Sequence, residues 1–212
     1  MRKRARIIYN PSSGREVIKK ELPDILAVYE DAGYETSAFQ TTPEPLSAQK
    51  EAARCSEDGI DLIVAAGGDG TIHEVISGIA EKEYRPTVAI IPAGTTNDYA
   101  RALRIPRHNL IEAAKLIHKQ ESLYMDIGKV ITGEEEQHFV NIGAMGNLVS
   151  VTFDVTPQLK TIFGYLAYVV KGVELLPQVR ALPVEIDYEG GRFEGEATLV
   201  FIALSSTVGG FN

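Results

Sequence analysis

Tryptophan is absent from this 212-residue chain, and cysteine occurs once, at Cys55. A single thiol cannot form an intrachain disulfide, which fits a reducing cytoplasm. No histidine or second cysteine stands beside it, so Cys55 reads as buried filler rather than as a nucleophile. Long apolar runs are also missing. The closest approach, residues 162–176, is broken by Gly164, Lys171, Gly172 and Glu174 and falls short of a bilayer span. No leader pattern opens the chain, because Arg2-Lys3-Arg4-Ala5-Arg6 runs straight into a strand-like stretch. Contact with lipid is therefore expected from the aqueous side. Positive charge is scarce: 21 Lys and Arg stand against 29 Asp and Glu, for a net charge of −8. That balance excludes nucleic acid as the main partner, since neutralising phosphates takes a clustered positive surface. The one basic cluster, Arg2, Lys3, Arg4 and Arg6, has two readings: a solvated strand edge, or weak contact with anionic headgroups. Internal repeats and low-complexity tracts are absent.

What is present describes an ordinary globular chain. Hydrophobic residues make up 44% and charged residues 24%, enough to close a core in one large domain or two small ones. Ile7-Ile8-Tyr9 is a strand ended by the dense turn signal Asn10-Pro11-Ser12-Ser13-Gly14. Ile18, Leu22, Ile25, Leu26 and Tyr29 share a helix face; Pro23 is expected to kink or restart that helix, and Gly33 to stop it. Residues 34–41 read as a second strand, and Ser47 as the cap of a helix reaching about Asp58. Leu62-Ile63-Val64-Ala65-Ala66 is a buried strand entering glycines, and Ile72, Val75, Ile76, Ile79 and Ala80 keep helical spacing after it. Val88-Ala89-Ile90-Ile91 forms another strand before Pro92, and Leu110, Ala113, Ala114 and Ile117 mark a further helix.

Strands apolar on both sides, alternating with amphipathic helices, predict a parallel sheet covered on both faces: a three-layer α/β domain over residues 1–125. From about Leu123 the pattern turns to strands at 126–131, 137–142, 183–188, 192–196 and 198–205, with hairpin turns at Gly133 and Gly190-Gly191. Residues 126–212 are accordingly read as a second, mostly β domain. Within it, residues 159–176 form a helical stretch, either packed on the sheet or walling an acyl-chain pocket.

The strongest chemical signal is Gly67-Gly68-Asp69-Gly70-Thr71, between a buried strand and a periodic helix. Glycines let backbone N–H groups approach a polyphosphate, and the helix terminus adds donors and a favourable dipole. An aspartate there repels phosphate by itself. Its task is to hold Mg²⁺, directly or through water, or to hydrogen-bond a ribose. The alternative is a tight turn with aspartate as its cap. No Lys-Ser or Lys-Thr follows, which excludes a P-loop, and the spaced glycines of a dinucleotide fingerprint are missing. Pro92-Ala93-Gly94-Thr95-Thr96-Asn97-Asp98 and residues 10–14 follow neighbouring strands in the same way. Each is compatible with plain turn chemistry; together they can converge on one nucleotide. Arg101 and Arg104 stand just downstream, either neutralising phosphate or on a solvated helix face.

These segments resemble a known family. The Gly67-to-Thr71 loop is shared by phosphofructokinases, NAD kinases and the diacylglycerol and sphingosine kinases. With Asn10-Pro11-Ser12-Ser13-Gly14 and Gly94-Thr95-Thr96-Asn97-Asp98-Tyr99-Ala100-Arg101 around it, the chain looks like a diacylglycerol kinase catalytic domain. Asp126-Ile127-Gly128, Phe139-Val140-Asn141 and Val208-Gly209-Gly210-Phe211 are similar to the soluble bacterial members. The resemblance implies a phosphofructokinase-like nucleotide domain followed by a β-sandwich-like lipid-binding domain. It implies transfer of the ATP γ-phosphoryl group to the hydroxyl of diacylglycerol, giving phosphatidic acid. Nucleotide contacts carry over to Asn10, Pro11, Ser12, Ser13 and Gly14, to Thr41 (or its neighbour Thr42), to Gly68, Asp69, Gly70, Thr71, Ile72, His73 and Glu74, and to Thr95. Asp69 and Asp98 take catalytic places in a Mg²⁺–water network. A peripheral membrane contact from the cytoplasmic side and a homodimer are also expected.

Three features depart from the family pattern. His73 stands where many relatives carry Asn, and an imidazole replaces only one of the amide's two hydrogen bonds. Arg15 stands where some carry Lys, keeping charge but not geometry. Family members also continue beyond Gly210-Phe211, and the part that follows there supplies the base and a structural Mg²⁺ site. Two alternatives remain at this stage: an NAD kinase, whose Asn-Glu adenosine motif is missing here, and a nucleotide- or lipid-binding module without catalysis.

Overall fold

The computed structural model describes residues 2–13, 17–133, 135–146 and 181–204. Four strands, β1 (Lys3–Tyr9), β2 (Tyr34–Gln40), β3 (Leu62–Gly67) and β4 (Thr87–Pro92), form one sheet in the order β2-β1-β3-β4. All pairs are parallel, in a register that sets Ala5 beside Thr36 and Leu62, and Leu62 beside Thr87. Side-chain alternation divides these strands between two cores. Ala5, Ile7, Tyr9, Leu62, Val64, Ala66 and Ile91 face α1 (Val17–Asp31) and α5 (Leu110–Ala114). Ile8, Ile63, Ala65 and Ile90 face α2 (Ser47–Glu57) and α3 (Asp69–Ile79). The result is the expected three-layer α/β arrangement. Because β1 leads to a helix on one face and β3 to a helix on the other, the sheet reverses its winding between these adjacent strands. In open α/β sheets that reversal opens a crevice beyond the carboxyl ends.

Two local expectations change. Helix α1 runs as one element through Pro23 rather than restarting there. The cluster of Ile18, Ile25, Val28 and Tyr29 on the sheet outweighs the ladder bond that proline cannot make. Ser47 is not the cap of α2. The cap position is Leu46, in the left-handed region at φ 61°, and the Ser47 hydroxyl accepts the Thr42 N–H at 3.0 Å instead. The free amide of the first turn, Ala48 N–H, donates to Glu74 Oε2 of α3 at 3.0 Å. Helices α2 and α3 lie so close that a Cβ on Gly78 would stand 2.3 Å from Gln49 O.

The basic amino-terminal cluster is largely engaged. Arg4 donates to Asp58 O and Gly59 O, and Arg6 Nε pairs with Glu51 at 2.7 Å. β1 is an inner strand rather than a sheet edge, and these contacts tie its basic cluster into its own domain. Glu51 is buried between Arg6 and Arg54; burial alone would raise its pKa, but hydrogen bonds from Arg54 and Arg6 outweigh this and hold it below the ordinary 4.5. A depressed carboxyl contributes stability above its unfolded value and loses it as pH falls through the folded one. We expect Glu51→Gln to lower unfolding stability by about 2 kcal/mol at pH 7. In urea melts at successive pH values, that gap should close below the ordinary carboxylate range. A gap independent of pH would remove the ion pair as its cause. Cys55 is fully buried, and burial pushes its thiol up to about 11, so it packs and does not react.

Beyond α4 (Asp98–Ala102), α5 and a 3-10 turn (Lys115–Lys119), the strands become antiparallel. β5 (Gly128–Thr132) pairs with β6 (Glu135–Phe139) around Gly133 at φ 63°. Contacts group this hairpin with the parallel sheet: Ile127 and Val140 pack on the α2–α3 side, and His138 Nε2 lies 2.9 Å from Glu81 Oε1. Residues 2–141, with Leu204, form one unit, and 142–203 form another. In the second unit β7 (Ile142–Met145) pairs with β10 (Val200–Ala203), and β8 (Leu182–Tyr188) with β9 (Gly191–Ala197). The expected helix at 159–176 and the segment Val208-Gly209-Gly210-Phe211 lie outside the described residues. No helix among the described residues is long and apolar enough to cross a membrane.

Candidate active site

Backbone hydrogen bonds carry the parallel ladder past the strands and into the loops. Thr41 N–H donates to Tyr9 O (2.9 Å), Asn10 N–H to Ala66 O (3.0 Å) and Ala93 N–H to Gly67 O (2.8 Å). These bonds bring the loops after all four strands to one end of the sheet. After β1, Asn10 Oδ1 accepts from Ser12 N–H (3.0 Å) and Ser12 Oγ (2.8 Å), and Ser13 N–H returns to Asn10 O (3.2 Å). This Asx turn closes the segment on itself directly after β1. Gly14 lies outside the described residues.

After β3 the chain turns directly into α3. Thr71 is buried with its side chain over Gly67, where a Cβ would meet Thr71 Oγ1 at 2.5 Å. Ile72 is fully buried, and its N–H makes the first bond of the helix, to Gly68 O at 3.1 Å. The amides of Asp69, Gly70 and Thr71 precede that bond and point off the helix start. Gly68 and Gly94 touch backbone to backbone: a Cβ on Gly94 would lie 2.6 Å from Gly68 Cα. Only glycine permits this approach, which joins the loops after β3 and β4.

Asp69 is half-buried, and both of its carboxylate oxygens are engaged by the neighbouring loop. Tyr99 N–H donates to Oδ1 at 3.2 Å and Thr96 Oγ1 to Oδ2 at 3.0 Å. Asn97 is buried at φ 50°, with its side-chain amide clasping Gly94 N–H (2.8 Å) and Gly94 O (2.9 Å). Thr96 and Asn97 belong to the loop expected to converge on nucleotide, where the sequence gives them no individual role. Their signal was the run of short polar side chains between Pro92 and a helix, the usual composition of a built turn. Asp98 Oδ1 is enclosed and, like Arg101 Nε, has no hydrogen-bond partner among the described residues.

Thr95, Ser12 and Gly70 are exposed on this open surface. A separate concavity of about 300 Å³ between α2 and α3, lined by Leu46, Gln49, Ser77 and Lys82, includes none of the strand-end residues. Glu74 faces α2, where its carboxylate holds Ala48 N–H as described above. His73 keeps much of its surface open, yet the protein atoms around its ring lower its pKa. Glu74 opposes that shift and His138 adds to it, and the net effect favours the neutral ring.

Glycine contacts, an Asx turn and a clamped aspartate at the winding reversal of a parallel sheet define an α/β domain built to bind a ligand beyond its strand ends. The model of the diacylglycerol kinase catalytic domain matches residues 4–130. Among curated proteins, a diacylglycerol kinase of Bacillus subtilis (strain 168) is 50% identical over 99% of this chain and 67% of its own length. One from Staphylococcus aureus (strain JH9) is 47% identical over 100% of this chain and 65% of its own. Among solved structures, a diacylglycerol kinase from Bacillus anthracis str. Sterne superposes with a TM-score of 0.75 at 32% identity, covering 99% of this chain and 67% of that one. The chain belongs to the diacylglycerol kinase catalytic-domain family. It spans about two thirds of the length of these relatives.

Proposed function

We propose that this chain provides the ATP-binding part of a lipid kinase that phosphorylates diacylglycerol to phosphatidic acid. The observation that carries the reading is the convergence of residues 10–13, Thr41, 67–71 and 93–98 at one end of the parallel sheet, in a chain of this family. The bond between the γ-phosphorus and the β,γ-bridging oxygen breaks, leaving ADP. A bond from that phosphorus to the acceptor oxygen forms, and the hydroxyl proton passes to a base that no described residue is assigned to be. Such transfers depend chiefly on positioning and charge neutralisation.

The α3 first-turn amides of Asp69, Gly70 and Thr71 supply donors for phosphate oxygens, with the dipole of that helix behind them. Asn10, Pro11, Ser12 and Ser13 border the crevice on one side, Thr41 at the end of β2 and Thr95 after β4 on others; Gly14 is assigned to the same loop by the family resemblance alone. Gly68 allows the close approach, Ile72 supports it from the core, and Glu74 ties α3 to the start of α2. His73 in its neutral form offers one donor and one acceptor.

Mg²⁺ is compatible with the side chains present. No group of three or more Asp, Glu, His or Cys among the described residues forms a cage, but Mg²⁺ ordinarily keeps its waters and takes one or two carboxylates plus phosphate. Asp69 and the enclosed, unpartnered Asp98 Oδ1 are that donor set. When bound, the ion neutralises charge on the phosphates. Nucleotide is assigned to the parallel-sheet domain, with which β5 and β6 group, and the lipid acceptor to the β domain that follows it. Because diacylglycerol resides in bilayers, transient contact with a membrane surface belongs to the same reading, as does a homodimer.

The test uses protein from the complete reading frame, with the 212-residue chain run alongside, and labelled ATP, Mg²⁺ and diacylglycerol in mixed micelles, scored for labelled phosphatidic acid. Labelled phosphatidic acid is the expected product. ATP binding with no labelled lipid would replace the kinase by a nucleotide-binding module.

A further inference from the structure

Asp69 is the first residue of α3, a position where an aspartate commonly complements its own helix. Here the carboxylate crosses to the next loop. The cause is local. Asn97 occupies the cap position of α4, but its amide is engaged in the two-bond clasp on Gly94. The first-turn amide of α4, Tyr99 N–H, is satisfied by Asp69 Oδ1 instead. That bond belongs to the backbone. Thr96 is the one side-chain donor to Asp69 among the described residues, and it holds the other oxygen, Oδ2.

A carboxylate held by one donor rotates about its Cβ–Cγ bond; donors on both oxygens define its plane. We propose that Thr96 is a positioning residue, whose hydroxyl orients the Asp69 carboxylate so that its remaining lone pairs face the cation accompanying a nucleoside triphosphate. This inference rests on the nucleotide reading above and assigns Thr96 no contact with nucleotide or reacting atoms. Hydroxyl and carboxylate form a charge-assisted bond, while the exposure of Thr96 keeps its contribution moderate.

Thr96→Val removes the hydroxyl at nearly constant volume, and Thr96→Ser retains it. ATP affinity is measured calorimetrically with Mg²⁺ and, separately, with EDTA, on protein whose thermal midpoint is checked to match wild type. In Thr96→Val the gain in affinity on adding Mg²⁺ should fall by about fivefold, as expected for one such hydrogen bond. Metal-free ATP affinity should stay within about twofold, and Thr96→Ser should restore the gain. In an Asp69→Asn background, Thr96→Val should have no further effect on the gain, since the charge it orients is absent. An unchanged gain in Thr96→Val overturns the proposal. So does an equal loss with and without Mg²⁺, or a serine variant as impaired as the valine one. Failure of the wild-type protein to bind ATP in either condition overturns the nucleotide reading itself, and the positioning role with it.

Discussion

In protein from the complete reading frame, Asp69→Asn is expected to lower phosphatidic acid formation by at least about a hundredfold while leaving the thermal midpoint nearly unchanged. The two halves of this result separate charge from architecture. Asn can still accept Tyr99 N–H through Oδ1, and its amide nitrogen can donate to Thr96 Oγ1, so the bridge between α3 and α4 survives. What disappears is one negative charge beside the proposed phosphate site. A single electrostatic contribution in a phosphoryl-transfer site commonly governs two to three orders of magnitude in rate. Asp69→Ala removes both bonds as well, so it should lose stability in addition to rate. Turnover by Asp69→Asn within a few-fold of wild type would leave Asp69 a structural bridge and nothing more.

Gly94→Ala is expected to weaken ATP binding by about tenfold or more and to destabilise the fold by about 1–3 kcal/mol, the usual cost of forcing a methyl into a closed contact. The added Cβ would stand 2.6 Å from Gly68 Cα and 2.8 Å from Asn97 Oδ1. The first neighbour is backbone, which no rotamer change can move aside. Relief therefore requires the loops after β3 and β4 to part, which also strains the Asn97 clasp and displaces Thr96 from Asp69. Gly70→Ala is the matched control for stability, because a Cβ there meets nothing within 4 Å of the protein. Calorimetric titration with ATP and thermal unfolding of both variants check the contrast. Wild-type affinity in Gly94→Ala would mean that the two loops need not touch for nucleotide to bind.

Much of the α/β unit was legible in the sequence because its signals are local and redundant. A strand buried on both faces needs an apolar run such as 62–66, and a covering helix needs apolar residues at helical spacing, as from Ile72 to Ile79. The glycines at 67, 68 and 94 marked close backbone approaches before any contact could be named. Local reasoning misled where a tertiary partner took over a local task. Ser47 had the composition of a cap, but Glu74 reaches the α2 terminus and the serine hydroxyl serves Thr42. Pro23 had the composition of a break, but the packed face of α1 carries the helix across it.

The sequence by itself determined the alternation of strands and helices, the polar loops after the strands, and the family to which those loops point. These follow from periodicity and turn chemistry, which depend on residues a few positions apart. Only the tertiary structure decided which loop holds which. That Asp69 faces Thr96 and Tyr99 and that Glu74 caps α2 depend on strand order and on the distance between elements after neighbouring strands. Hydrogen-bond partners 26 to 30 residues apart in sequence leave no periodic trace in it. They exist because the sheet sets its strands side by side.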